Sequence, residues 1–414
     1  MSMPFSQVKI LDFTRYLAGP FATFQFAVLG ADVIKVESLE GDPTRKTTID
    51  RALADAKMSP TFLAMNPNKR SLALDLNSPE GVSIIRSLIK DVDVVCENFR
   101  PGVMKRLGLG YDALKALNPR LIYCSISGFG HSGPEQYTAA FDGKIQAMSG
   151  MMAMTGDPAG GPMRTGFAVC DLIAGMTGAF AISSALYERE NTGQGGFLDV
   201  SMLDSALVFL ASQVCEATMG GVKHTQMGNL SVSRKVTANR FRTGDGDIVL
   251  AVLNEKHFAK LMVTLGIPQA LDDPRFTDWF TRTEHEPALR GMIETAMAPH
   301  NASYWEQTLT AADIPCGMVR RLDEIIQHPQ LEHRAVLQTV KTPKGEFRMA
   351  GAGFQWQDKT PTLETCAPLL GQHTDEILQQ AGYSAAQIRQ FRDRGTLGPA
   401  TAESAAAAGP EGRN

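Results

Sequence analysis

The sequence contains few of the features that mark disulfide-rich, metal-binding or nucleic-acid-binding proteins. Six of its 414 residues are cysteines, and none forms a Cys-x-x-Cys pair or stands near histidine with zinc spacing. The 40 basic and 44 acidic residues give a formal net charge of −4, and the basic residues do not gather in runs. We therefore expect free thiols, no metal site, and neither a nucleic acid nor a membrane surface as a partner.

Long uncharged apolar runs are also missing. Residues 1–13 lack the charged and apolar regions of a signal peptide. Every 18-residue window of the most apolar helical candidates contains a charge, which predicts that no segment spans a membrane. Together with the free thiols, these absences indicate a cytoplasmic protein.

The first 130 residues alternate short strand-like runs with helical segments. The strand candidates are residues 7–13, 31–37, 71–76, 93–99 and 121–130, and the helical candidates between them are residues 19–29, 79–90 and 101–107. This alternation predicts an α/β fold, in which a large Rossmann-like domain carries a doubly wound parallel sheet. The segment TRYLAGP follows the first strand in place of a GxGxxG motif, which argues against an ordinary NAD site.

The length of the chain is sufficient for two or three domains. Fresh strand and helix patterns after a long polar loop predict a smaller α+β domain, and short strands with a final helix at 373–381 follow it. The low-complexity tail is predicted to be disordered. The predicted divisions are 1–220 for the large domain, 225–328 for the small domain, 329–400 for the C-terminal segment and 401–414 for the tail.

Three segments carry side chains that suit chemistry, and each has a structural alternative. Asp171 follows an apolar run at the start of a helix, where it could be an N-cap residue or a carboxylate nucleophile. Residues 97–111 include Lys105 and Arg106, which could hold a phosphate or form a solvated helix face. The basic residues within 68–70 precede a buried strand and could equally lie in a solvated loop.

Taken in order, these segments resemble the class III CoA-transferase family, which includes formyl-CoA:oxalate transferase and the carnitine CoA-transferases. The resemblance extends over nearly the whole chain. The matching segments are LDFTRYLAGP (11–20), GADVIKVE (30–37), NKRSLALDL (68–76), ENFRPGVMKRLGLGY (97–111), PRLIYCSISGFG (119–130), QAMSGMMAMTG (146–156), CDLIAGMTGAFAISSALYERENTGQGGFLDVSMLD (170–204), IPCGMV (314–319), HPQLEHR (328–334) and APLLGQHTDEIL (367–378).

The resemblance implies that Asp171 is the catalytic aspartate and that no cofactor is needed beyond the CoA thioester substrate. It implies an interlocked homodimer, and a large domain in which residues 329–400 return to the N-terminal part around an inserted small domain. It also implies a set of CoA-binding residues. These are Leu17, Ala18, Leu74, Asp75, Leu76, Asn77, Asn98, Phe99, Arg106 and Asp142.

Several positions depart from formyl-CoA transferases. Those proteins have glutamine at the position of Leu17 and arginine at the position of Ser38, although Arg45 lies nearby in this chain. They also have a run of glycines where this chain has Met227–Asn229. Oxalate and formate are therefore poor substrate candidates.

The α-methylacyl-CoA racemases of the same superfamily carry a histidine where this chain has Phe141. Racemisation needs an acid and a base on opposite faces of the substrate, so the loss of the histidine favours transfer. An acyl-CoA racemase and a non-catalytic acyl-CoA-binding protein remain as alternatives.

The expected reaction moves CoA from an acyl-CoA to a free carboxylic acid through a mixed anhydride and an aspartyl-CoA thioester on Asp171. Arg164, Arg234 and Lys235 are candidates to pair with a distal carboxylate, although each could be a surface charge. We therefore expect a small dicarboxylic acid as substrate and succinyl-CoA or a similar thioester as donor.

Overall fold

The computed structural model describes residues 2–342, 345–357 and 359–399. The strands are β1 (Lys9–Asp12), β2 (Asp32–Glu37), β3 (Lys69–Ala73), β4 (Val94–Glu97), β5 (Ile122–Ser127), β6 (Phe197–Ser201), β7 (Arg240–Arg242), β8 (Asp247–Leu250), β9 (Cys316–Met318), β10 (Leu337–Thr342) and β11 (Gly345–Ala350). The helices of the first half are α1 (Ala18–Ala27), α2 (Arg51–Asp55), α3 (Pro60–Met65), α4 (Pro79–Leu88), α5 (Val103–Arg106), α6 (Tyr111–Lys115), α7 (Asp142–Met148), α8 (Met151–Met154), α9 (Val169–Thr192), α10 (Met202–Phe209) and α11 (Ala211–Gly220). Those of the second half are α12 (Glu255–Thr264), α13 (Trp279–Glu284), α14 (Glu286–Met297), α15 (Ala302–Ala311), α16 (Leu322–Ile325), α17 (Pro329–His333), α18 (Thr374–Gln380) and α19 (Ala385–Asp393).

Six parallel strands form the main sheet, in the order β3-β2-β1-β4-β5-β6. Ile10 of β1 pairs with Val33 on one side and with Val94 on the other. This result confirms the prediction of a mixed α/β fold with a parallel sheet. The strand order reverses between β1 and β4, and in open α/β sheets ligands bind outside the carboxyl ends of the strands at such a point.

Most side chains of β1 to β5 are buried because both faces of the sheet are covered, including charged ones such as Lys35 and Glu37. One face packs against α1, α9 and α10, and the other packs against α4, α5, α6, α18 and α19. Alternation along each strand decides which face a side chain joins, so that Cys96 lies on the α9 side and Val95 lies on the opposite side. The two faces therefore hold separate groups of buried residues.

Small residues allow α1 and α9 to approach closely. A Cβ atom on Gly175 would lie 2.6 Å from the carbonyl oxygen of Ala18, and one on Gly178 would lie 2.9 Å from Ile126. Real Cβ atoms do not make such contacts, so position 175 requires glycine because its neighbour is backbone, whereas a Cβ atom on Gly178 would only displace the end of the Ile126 side chain. The start of α1 is thereby held against the first turns of α9.

The residue contacts divide the chain into two compact units. The first comprises the described residues of Met1–Met151, Thr165–Val222 and Gln330–Asn414, and the second comprises Met152–Arg164 and Lys223–Pro329. In the first unit, the antiparallel hairpin of β10 and β11 packs with α3 in a further apolar cluster. The second unit contains the antiparallel sheet β7-β8-β9, and α12, α14 and α15 supply much of its apolar core.

Two local predictions differ from the structure. The helix predicted at 373–381 is present as α18, but it is not the last one, because Ser384 and Gln387 form a capping box that starts α19. The polar segment predicted as a loop at 220–243 ends in β7, whose Arg240 pairs with Val249 of β8. The tail predicted to be disordered, 401–414, lies outside the described residues.

Three observations concern the membrane spans, disulfides and metal sites that the sequence does not predict. Within the described residues, α9 is long and apolar enough to cross a membrane by length and composition, a test that core helices of soluble proteins also pass. All six cysteines are free, and Cys96, Cys124 and Cys170 are buried. Across 2–342, 345–357 and 359–399, no group of three or more His, Cys, Asp or Glu is arranged to hold a metal ion.

Candidate active site

The loop that follows β1 borders the crevice, which lies where the strand order reverses between β1 and β4. The side chain of Asn98, just beyond β4, fixes this loop, because its Oδ1 accepts from the Arg15 amide at 2.8 Å and its Nδ2 donates to the Arg15 carbonyl at 2.7 Å. The Arg15 guanidinium lies 4.9 Å from the ring centre of Phe99. Leu17 and Ala18, which follow at the start of α1, are therefore presented by a backbone that Asn98 holds in place.

Buried charged side chains also form hydrogen bonds to the loop that follows β1. Lys35 Nζ donates to the Thr14 carbonyl at 2.8 Å and pairs with Asp42 Oδ2 at 3.0 Å. The other oxygen of Asp42 accepts from the Tyr16 amide at 3.4 Å, and Tyr16 has a left-handed backbone with φ of 64°. A non-glycine residue holds this conformation only when its surroundings fix it, so the loop is preorganised.

Lys69 anchors the first turn of α1. Its Nζ lies 3.0 Å from Asp12 Oδ2, donates to the Pro20 carbonyl at 3.0 Å and to Thr23 Oγ1 at 2.8 Å, and also reaches the Asn66 amide oxygen. The side chains of Lys69 and Asp12 are fully buried. The basic segment at 68–70 therefore includes a structural lysine beneath the crevice.

Asp171 lies in the first turn of α9 and is partly buried. The N-cap residue of α9 is Ala168, so the N-cap alternative for Asp171 is wrong. Gly175, one turn further along, contacts the Ala18 carbonyl, and residues four apart share a helix face. The structure thus brings Asp171 close to the start of α1.

The N-terminus of α9 is capped by Asp142 of α7, because the N-cap residue Ala168 has no side chain that can accept a hydrogen bond. Its Oδ1 accepts from the amide of Cys170 at 2.8 Å and from that of Asp171 at 3.4 Å, and its Oδ2 accepts from Gln146 Nε2 at 2.5 Å. Burial, with a smaller contribution from the negative charge of Asp142, raises the pKa of Asp171 to about 7. The Asp171 carboxylate is therefore more basic than an ordinary aspartate.

The other predicted CoA-binding residues lie at the same edge of the sheet, because all its strands are parallel. Leu74 is buried and pairs with Leu397, while Asp75 Oδ1 accepts from both the amide and the side-chain nitrogen of Asn77. Leu76 is partly buried, and Asn77 and Arg106 are exposed. Arg106 on α5 is thus accessible to an anionic ligand.

Two of the other charges singled out in the sequence, Arg45 and Lys235, have structural partners. Arg45 is buried, donates twice to Glu37 at 2.7 Å, and lies 3.8 Å from the ring centre of Phe62. It therefore cannot replace the family arginine that is absent at Ser38. In the second unit, Lys235 Nζ donates to the Leu253 carbonyl at 2.5 Å and lies over the Trp279 ring, whereas Arg234 is exposed and lines a cavity of about 410 Å³.

Sequence reasoning missed Glu97, the last residue of β4. It is buried, its Oε2 accepts from the Phe99 amide at 2.7 Å, and the neighbouring Ser125 Oγ lies 2.6 Å from His131 Nε2. The sequence signal that could have identified it is a glutamate at the end of a strand predicted to be buried. A buried glutamate usually has hydrogen-bonding or charged partners.

Comparisons with known proteins identify the family. The profile of CoA-transferase family III matches residues 5–374. Succinyl-CoA:glutarate CoA-transferase of Mus musculus is 34% identical over 91% of this chain and 86% of its own, and succinate–glutarate CoA-transferase of Agrobacterium fabrum is 34% identical over 91% and 95%. The crystal structure of a CAIB/BAIF family protein from Brucella suis superimposes with a TM-score of 0.83 at 32% identity, over 92% of this chain and 100% of that one. The chain therefore belongs to CoA-transferase family III and is a CoA-transferase.

Proposed function

We propose that this enzyme moves CoA from a dicarboxylyl-CoA, with succinyl-CoA as the first candidate, to a free carboxylic acid through covalent intermediates on Asp171. The observation that carries the proposal is the partly buried Asp171 carboxylate, one helical turn from the Gly175–Ala18 contact. The relatives named succinyl-CoA:glutarate transferases support the choice of substrates.

The first half of the reaction charges the aspartate. An oxygen of the Asp171 carboxylate attacks the thioester carbonyl, the carbon–sulfur bond breaks, and CoA leaves as a thiolate, giving a mixed anhydride. The thiolate then attacks Cγ of Asp171, and the first acid leaves as its carboxylate. The product is an aspartyl-CoA thioester, with atoms and charge balanced.

The second half reverses these steps with another acid. The incoming carboxylate attacks Cγ of Asp171 and displaces the thiolate, which then attacks the acyl carbon of the new anhydride. A new acyl-CoA leaves and the Asp171 carboxylate is regenerated. A raised pKa suits this role, because a more basic carboxylate is the better nucleophile once it is ionised.

Binding of the nucleotide end would position the thioester. Under this proposal the crevice residues do so, with Leu17 and Ala18 after β1 and Asn98 and Phe99 after β4. Arg106 is exposed and suited to a phosphate group. The remaining members of the proposed CoA site are Leu74, Asp75, Leu76, Asn77 and Asp142.

The direct test is the intact mass of the protein after incubation with a panel of acyl-CoAs. We expect an added CoA on the wild-type protein, with the most efficient charging by a dicarboxylyl-CoA such as succinyl-CoA. Charging only by monocarboxylyl-CoAs would contradict the substrate assignment. No adduct with any thioester, accompanied by exchange of the α-proton in deuterated water, would indicate a racemase instead.

The rate of adduct formation is expected to depend on pH with a midpoint of about 7, which is the pKa of Asp171. Only the ionised carboxylate attacks, so the rate falls about tenfold per pH unit below the midpoint and is constant above it. Replacing Asp142 with asparagine keeps a hydrogen-bond acceptor but removes the like charge, and the midpoint should move to lower pH. Single-turnover rates measured by quenched mass spectrometry from pH 5 to 9 would test this.

The exposed Asp55→Asn variant on α2 is the matched control for that shift, and its midpoint should equal the wild-type value. A midpoint that is the same in the Asp142→Asn variant would show that the Asp142 charge does not act on the nucleophile.

We further propose that the enzyme is a homodimer, of the interlocked kind. Met176, Phe180 and Tyr187 form an exposed apolar stripe along α9, and the last two are each 76% exposed. Stripes of this kind on a single chain mark interaction surfaces. We expect light scattering to give twice the chain mass for the wild type and the single-chain mass for the double variant Phe180→Asp/Tyr187→Asp.

Phe280→Asp on α13 is the control for the dimer, because Phe280 is 83% exposed but lies in the second unit. It should leave the mass unchanged. A wild-type protein with the mass of one chain at micromolar concentration would contradict the proposed dimer.

A further inference from the structure

Glu97 is a buried acid for which the transfer mechanism has no use. It is 3% exposed and ends β4, where alternation places its side chain with that of Val95 on the sheet face opposite α9. Ser125 of β5 lies beside it on the same face. Glu97 therefore acts on a different side of the sheet from Asp171.

Glu97 lies at the end of a row of polar groups. Its Oε2 accepts from the Phe99 amide at 2.7 Å, and Ser125, its partner on β5, helps to lower the pKa of the Glu97 carboxyl against the effect of burial. Ser125 Oγ also lies 2.6 Å from His131 Nε2, and when its single proton is donated to Glu97 it accepts from that nitrogen. The row thus runs from His131 through Ser125 to Glu97 and ends at the backbone of the segment after β4.

We propose that Glu97 is a positioning residue for CoA, whose ionised carboxylate holds the backbone of Asn98 and Phe99 in the conformation that binds the ligand. This inference rests on the proposed function, which assigns Asn98 and Phe99 to the CoA site. Asn98 in turn holds Arg15 through two hydrogen bonds, so a change at Phe99 reaches the loop before Leu17. Glu97 therefore acts through other residues and does not touch the reacting atoms.

Glu97 changes between its protonated and its ionised form near neutral pH. Burial raises the pKa of Glu97 to about 7, against the opposing hydrogen bonds from Ser125 and Phe99 and with an added contribution from the charge of Asp199. A cavity of about 380 Å³ lined by Glu97 and His131 gives protons a route to the chain. The other titratable or charged groups that face this site from β5, α5, α6 and the loop after β1 are Tyr123, Lys105, Tyr111, Asp112 and Arg15. Cys96 and Cys124 lie on the opposite face of the sheet.

The sign of the effect follows from the hydrogen bonds. Above the midpoint, ionised Glu97 accepts a charge-assisted bond from the Phe99 amide, and below it the protonated acid accepts a weaker one. We expect CoA affinity to fall about fivefold as pH drops through the midpoint, the difference between a charged and a neutral acceptor. By reciprocity, bound CoA should lower the pKa of Glu97.

The experiment uses the full chain with the Asp171→Asn substitution, so that the nucleophile neither reacts nor titrates. Calorimetry would give the Kd of CoA from pH 5.5 to 8.5, with Glu97 intact or replaced by glutamine. Glutamine has the same shape and can still accept from Phe99, but it does not ionise. We expect the Glu97→Gln variant to bind about fivefold more weakly at pH 8 and to bind equally at pH 5.5.

Two further variants sharpen the test. Ser125→Ala removes a hydrogen bond that favours the ionised form, so the midpoint of the Kd profile should move to higher pH. Glu188→Gln, an exposed change near the far end of α9, corrects for the titration of CoA itself and should match the parent profile.

The experiment distinguishes a failure of this inference from a failure of the proposed function. CoA binding with the same pH profile in the parent and in the Glu97→Gln variant would overturn this inference and leave the proposed function standing. Failure of CoA to bind at any pH, with no adduct on the wild type, would overturn both.

Discussion

Replacing Asp171 with asparagine is expected to lower the rate of CoA transfer by about 10⁴-fold or more, because the variant has no carboxylate to attack the thioester. Asparagine has nearly the same shape, and Asp171 does not cap its helix, so the fold should be retained. The loss should appear in kcat, while the KM for acyl-CoA changes little, since binding of the nucleotide end does not depend on the nucleophile.

Two measurements check this result. Steady-state transfer between succinyl-CoA and glutarate gives the rates, and intact mass shows whether the CoA adduct forms on each protein. Asp171→Ala should behave as Asp171→Asn does, which excludes slow deamidation as a source of residual activity. The exposed Asp55→Asn variant should retain the wild-type rate. Turnover by Asp171→Asn within about tenfold of wild type would contradict covalent catalysis by this residue.

The parallel sheet could be predicted from the sequence because its signals are local. Runs such as 31–37 and 93–99 carry several β-branched residues over strand length and are separated by helical segments. β2 (Asp32–Glu37) and β4 (Val94–Glu97) lie within those runs. The strand order, and hence the crevice beyond β1 and β4, depends on long-range pairing and was available only by analogy with Rossmann-like domains.

Asp171 shows a different limit. Its sequence position alone favours an N-cap over a nucleophile, and only the family resemblance favours the nucleophile. The structure assigns the capping to Asp142, which accepts from the amides of Cys170 and Asp171, 28 and 29 residues further along the chain. A cap supplied from another helix leaves no spacing signal, and neither the burial of Asp171, which is the main cause of its raised pKa, nor the smaller effect of the Asp142 charge can be predicted from the sequence.

The environment of Lys69, which matters for stability, also depends on a residue far away in the sequence. A solvated loop was an even alternative for 68–70, yet Lys69 is 2% exposed and is paired with Asp12, 57 residues earlier. Arg70, the next residue, instead pairs with Asp32 and with Glu376 of α18 at the sheet edge. Neighbouring basic residues thus have opposite environments, because strand alternation directs them to different faces.

Replacing Lys69 with methionine is expected to lower the free energy of unfolding of the first unit by about 3–5 kcal/mol, because it leaves the Asp12 carboxylate buried without its cation. The Pro20 carbonyl and Thr23 would also lose a donor. Urea denaturation followed by circular dichroism would measure the change. Because Lys69 holds the turn that carries Ala18, the KM for acyl-CoA should rise as well.

A pair at the surface provides the matched control for Lys69. Arg51 and Asp55 on α2 are also oppositely charged, but their side chains are 93% and 74% exposed, and Arg51→Met should change stability by less than about 1 kcal/mol. Adding Asp12→Asn to Lys69→Met removes the uncompensated charge, so the double variant should recover about 1–3 kcal/mol relative to the sum of the single changes. Strict additivity would show that the two residues are not coupled, and the loss would then have to come from packing of the lysine stem.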